Sequence, residues 1–116
     1  MTLSARNWAW DLEKRPVGGQ NWVDLKPGEK LTLLYLAEME NASHGIAYPS
    51  IKKIAERTGL SPRTIITHLD TLVTCGFISK GKARPSRNGK WLRNTYVLHV
   101  DDENRSRDPE WQREQG

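Results

Sequence analysis

The chain has 116 residues, 36% of them hydrophobic and 28% charged, with a formal net charge of +4. That is one small domain with enough apolar content for a core; a multidomain enzyme is excluded, as is a dinucleotide-binding α/β fold, which needs more strands and helices than fit. No stretch reaches the roughly 18 to 20 apolar residues that span a bilayer. The first 15 residues hold no apolar run of signal-peptide length, so the cytoplasm is the expected compartment. One cysteine makes no internal disulfide, and no Cys/His cluster suggests a metal, so neither metal nor cofactor is expected.

The charge is unevenly spread. Residues 1–49 carry five basic and six acidic side chains, residues 50–100 ten and two, and residues 101–116 three and six. The basic middle is the footprint of a protein that meets a polyanion. A solvated basic face is the plain alternative that composition alone leaves open.

Residues 1–25 read as an arm. Trp8 and Trp10 alternate with small or polar neighbours, and VGGQ at Val17–Gln20 breaks any regular element. Tryptophans in such an arm are expected to anchor on the domain or on a partner chain. A helix follows from about Pro27 to Glu40, with proline suited to the first turn and Glu29 placed for the helix dipole. It carries two apolar stripes, Leu31, Leu34 and Tyr35 in one and Leu33, Leu36 and Ala37 in the other. Two buried faces are therefore expected, one of them covered by the arm or by a second subunit.

Ile46–Tyr48 is long enough for a very short strand. Ser50 caps the next helix, which turns Ile51, Ile54 and Ala55 to one side, exposes Lys52 and Lys53, and stops at Gly59. Ser61 and Pro62 start another helix, with Ile65, Leu69, Leu72 and Val73 inward, closed by Gly76. Phe77 and Ile78 open a strand, and LRNTYVLHV gives a second with alternation at Tyr96, Leu98 and Val100. The Gly-, Pro- and Ser-bearing basic loop between them makes a hairpin. Residues 101–116 are acidic and polar without periodicity and read as a mostly disordered tail.

The run IAERTGLSPRTIITHLDTLVTCGFI resembles a helix-turn-helix, and the hairpin after it resembles the wing of a winged-helix domain. Ala55, Gly59, Leu60 and Ile65 sit at the relative spacings of that family, and LxxLxxxGFI from Leu69 to Ile78 is similar to its ending. YPSIKKIAERTGLSPRT, preceded by LTLLYLAEMEN, resembles such domains in bacterial, phage and plasmid regulatory or replication proteins. The resemblance implies a mainly α fold, a three-helix core plus a small β-hairpin over residues 26–100, and a bacterial cytoplasm or nucleoid.

It also implies where DNA would meet the chain. The second helix of the motif reads the major groove with its first turns. On this chain that face is Ser61, Arg63, Thr64, Thr67 and, obliquely, His68; Arg suits guanine and Thr a hydrogen bond or a thymine methyl. The wing offers Lys80, Lys82, Arg84, Arg87, Asn88, Lys90 and Arg93, with no acid among residues 80–93, for backbone or minor groove. Lys52 and Lys53 are further backbone candidates. A homodimer is expected, with Trp8, Trp10, Trp22, Leu33 and Leu36 as its surface. The rival is an arm that folds back as a lid.

No pair of carboxylates is placed for acid–base work, and no base accompanies Cys75, so no enzyme and no small-molecule ligand are expected. The leading function is sequence-specific binding of double-stranded DNA by a small transcriptional regulator. The alternatives are an accessory or initiator factor in phage or plasmid replication, or a winged-helix module that binds an acidic protein surface. The polar Arg63, Thr64 and Thr67 favour DNA over a protein partner.

Overall fold

The computed structural model describes residues 2–18, 20–83 and 93–115. The elements run α1 (Leu3–Asp11), β1 (Lys14–Gly18), β2 (Asn21–Asp24), α2 (Pro27–Met39), α3 (Ile51–Thr58), α4 (Pro62–Thr74), β3 (Ile78–Ala83), β4 (Arg93–Leu98), α5 (Asp102–Ser106) and α6 (Pro109–Gln115). The fold is mostly helical, with β1–β2 and β3–β4 as two antiparallel hairpins.

Helices α2, α3 and α4 pack around Leu33, Leu36, Ile54, Ala55, Ile65, Leu69 and Leu72, all buried. Their ends follow the sequence signals. The Lys26 N–H donates to Glu29 Oε1 at 2.9 Å, which also pairs with Arg15 Nε at 3.2 Å. Ser50 Oγ accepts the Lys53 N–H at 3.0 Å, and Ser61 Oγ accepts that of Thr64 at 3.1 Å. Gly59 ends α3 at φ 77°, a left-handed conformation that a β-carbon disfavours, and thereby sets the short turn into α4.

In the β3–β4 hairpin Ile78 pairs with Leu98 and Lys82 with Asn94. Its inner face adds Ile78, Tyr96 and Leu98 to the core. Ala47 joins as a one-residue third strand, exchanging two backbone hydrogen bonds with Tyr96 at 2.9 and 2.7 Å. This is the short strand expected at residues 46–48.

The N-terminal segment departs from an irregular arm. Thr2 caps α1, whose Ala5, Trp8 and Ala9 are buried at helical spacing. Trp8 meets Phe77 edge-on, with ring centroids 6.5 Å apart. Lys30 Nζ donates to the Trp10 and Leu12 carbonyls, so a cation closes the C-terminal end of α1. Burial holds the Lys30 ammonium below its ordinary pKa, against the opposing pull of Glu13 and Asp11. Trp8, Leu33 and Leu36, expected between subunits, are thus core residues of one chain, because α1 itself covers that stripe of α2. Trp10 and Trp22 remain exposed.

The C-terminal segment also departs from the expected disordered tail. Asp101 caps α5 through the Asn104 N–H at 3.0 Å, and Asp108 accepts from the Trp111 N–H at 3.1 Å. Arg105 reaches Glu40 with both guanidinium nitrogens and Ser4 with one of them. Polar side chains, not an apolar stripe, fix this segment, which is why hydrophobic periodicity gave no sign of it. Among the described residues no helix is long and apolar enough to cross a membrane.

Candidate nucleic-acid interface

Helix α4 turns Ile65, Leu69 and Leu72 into the core. Its opposite side exposes Arg63, Ile66, Thr67 and Asp70. The hydroxyls on it are partly committed. Ser61 Oγ donates to Thr64 Oγ1 at 2.8 Å while capping the helix, and Thr67 Oγ1 donates to the Arg63 carbonyl at 3.2 Å. Each keeps oxygen lone pairs for a further donor. Thr64 is half-buried at the edge of the face.

His68 does not share that face. Its ring is turned toward the first turn of α2, where a β-carbon on Gly28 would stand 2.6 Å from Nε2 and 3.4 Å from the Leu60 side chain. Its Nδ1 is buried with no hydrogen-bond partner among the described residues. The residue spans the boundary between core and surface stripes, and the close approach of α2, made possible by Gly28, draws it inward.

Ile66, outward by its helical spacing in the sequence as well, and Asp70, assigned no role beyond solubility from the sequence, complete the exposed face. Ile66 is 48% exposed, and Asp70 is exposed one turn beyond it. Both follow Arg63 at helical spacings of three and seven, a signal the sequence carried. Asp70 puts a negative charge on the proposed reading face; a carboxylate there can accept from cytosine N4 but repels phosphate.

On β3, Lys80 and Lys82 are exposed. A groove of about 840 Å³ brings Lys82 and Asn94 of the hairpin together with Ser50 and Lys53 at the start of α3. Glu110 of α6 also lines it. Lys52 is exposed on α3. Arg84, Arg87, Asn88 and Lys90 lie outside the described residues, as does the side chain of Arg93. Among the described residues no group of three His, Cys, Asp or Glu side chains could hold a metal ion.

Residues 23–78 match the family model of a helix-turn-helix domain. A solved structure of PerR from Streptococcus pyogenes, described for peroxide sensing and gene regulation, aligns at 19% identity and a TM-score of 0.48. The alignment covers 67% of this chain and 49% of PerR, so the chain spans about half the length of that protein. The comparison with curated proteins gives no match. The helix-turn-helix match spans residues 23–78, and the β3–β4 hairpin follows α4 in the place a wing takes in a winged helix-turn-helix.

Proposed function

We propose that the chain binds double-stranded DNA sequence-specifically and acts, without catalysis, as a small transcriptional regulator in the cytoplasm. Helix α4 enters the major groove, with Arg63 and Thr67 toward base edges and Ser61 and Thr64 at the backbone end of the helix. Lys80 and Lys82, with the basic residues of 84–93, follow the backbone or the minor groove, and Lys52 and Lys53 neutralise phosphates from α3. The observation that carries this reading is the exposed face of α4: a helix-turn-helix second helix that presents Arg63 and Thr67 to solvent while Ile65, Leu69 and Leu72 pack in the core and Val73, expected inward, stays exposed at its last turn. The helix-turn-helix match supports DNA binding. The groove shared by Lys53 and Lys82 supports a backbone path from α3 to the wing.

Selection of bound sites from random duplex DNA, followed by a salt series on the recovered site, tests the proposal. A defined motif is expected, with a slope of log K against log salt near −4 to −7, as for about five to eight neutralised phosphates. No enriched motif, or a slope near zero, overturns it.

A further inference from the structure

Helix α2 has one apolar stripe that α1 does not cover. Leu31 is 40% exposed, and Leu34 and Tyr35 are half-buried beside it. They floor a groove of about 310 Å³ whose rims are α1, with Arg6 and Trp10, and α3, with Arg57 and Thr58. Glu38 lies at its edge, 3.7 Å from Arg6 Nε. Trp10 is 60% exposed, a large apolar surface to leave in water.

The two rims are chemically complementary to each other. One presents the Trp10 indole and the other the Arg57 guanidinium, which makes no ion pair among the described residues. Arginine over a tryptophan face is an attractive pair, and both are favoured interface anchors. A two-fold axis parallel to α2 brings the α1 rim of one copy against the α3 rim of the other, so each Arg57 meets a Trp10 and the pair forms twice. The floors meet as well, Leu31 against Leu31. Among the described residues none of α4 or the β3–β4 hairpin lines the groove, so the described reading faces stay open.

We propose that this groove is the docking surface for a second copy of the chain, joined by reciprocal Arg57–Trp10 contacts over a Leu31 floor. This stripe replaces Leu33 and Leu36, which α1 covers. The patch is small, so a dissociation constant on the order of micromolar suits it. The proposal stands apart from the DNA reading, because the dimer forms without nucleic acid.

Sedimentation of the full chain at about 50 µM, well above that range, tests it. A dimer is expected for the unmodified chain and for Trp22→Ala, which removes the other exposed tryptophan among the described residues. Leu31→Arg and Arg57→Glu are expected to sediment as monomers with unchanged circular dichroism, and Arg57→Lys to retain a weaker dimer. Both substitutions fall on exposed positions, so loss of fold is not the expected cause of dissociation. A monomeric parent chain overturns the proposal, and so does a dimer that survives both Leu31→Arg and Arg57→Glu.

Discussion

The Arg105 guanidinium grips the Glu40 carboxylate end-on, with Nη1 to Oε1 at 2.7 Å and Nη2 to Oε2 at 2.8 Å. Glu40, directly after α2, is fully buried. Its Oε1 also accepts the Thr2 hydroxyl at 2.6 Å, and Arg105 donates to Ser4 Oγ at 2.8 Å. Trp111 covers the other side of the guanidinium, 3.5 Å from the ring centroid. One ion pair therefore fastens α1, the end of α2 and α5 together. Removing either partner strands a buried charge. Arg105→Ala is expected to lose about 3–5 kcal/mol in denaturant unfolding, a large part of the stability of a small domain. A loss below about 1 kcal/mol would show that water reaches Glu40 and that the clasp contributes little.

Asp108 makes the same junction sensitive to acid. Burial opposes its charge, yet hydrogen bonds from the Ser4 hydroxyl and N–H and the Trp111 N–H, together with Arg105, hold its carboxyl below the ordinary 3.8. A carboxylate with a depressed pKa in the folded state contributes stability above its unfolded value. That contribution is lost as pH falls through the folded value. Urea midpoints are therefore expected to fall from about pH 4 downward, with a shallower fall in Asp108→Asn. Parallel curves for the two proteins would place the acid-sensitive group elsewhere.

The middle of the chain was legible because each helix announces itself locally. Ser50, Gly59 and Ser61 mark ends, and Ile54, Ile65, Leu69 and Leu72 mark one buried side. The ends of the chain were not legible, for two different reasons. In α1, Trp8 points in and Trp10 points out, so two tryptophans two apart mimic strand alternation and hide the helical set of Ala5, Trp8 and Ala9. In α5, order depends on Arg105 meeting Glu40, a partner 65 positions away with no local pattern to signal it. The α2 stripes were legible as two faces, but not which of them α1 would cover. The α4 face was legible at Arg63 and Thr67 and misjudged at His68, since the approach of Gly28 is a tertiary fact.

That approach predicts a packing coupling. A β-carbon at Gly28 would come within 2.6 Å of His68 Nε2 and 3.2 Å of its Cδ2. Gly28→Ala is expected to destabilise by about 1–3 kcal/mol through overpacking between α2 and α4. In His68→Ala the ring is gone, and the same Gly28 substitution should cost far less. A double-mutant cycle on thermal unfolding measures the difference. Additive costs would mean that the imidazole swings to solvent when crowded and does not fix the spacing of the two helices.

The exposed face of α4 and the wing together predict three different responses to DNA from three charged side chains. Arg63, proposed to face base edges, should govern discrimination: Arg63→Ala is expected to cost about 1–3 kcal/mol at the selected site and little on random duplex. Lys82, on the wing, is proposed to meet phosphate alone. Lys82→Ala should weaken selected and random DNA alike and lower the salt slope by about one. Asp70 carries the opposite sign. It sits on the same face as Arg63 and repels the backbone of any duplex that α4 enters, so Asp70→Ala should tighten binding to random DNA. If Asp70 also accepts from a cytosine, binding to the selected site should gain less than binding to random DNA, and the ratio between them should fall. Fluorescence anisotropy on the two duplexes at two salt concentrations separates these effects. Equal losses for Arg63→Ala on both duplexes would mean that this face touches backbone and that sequence is read elsewhere.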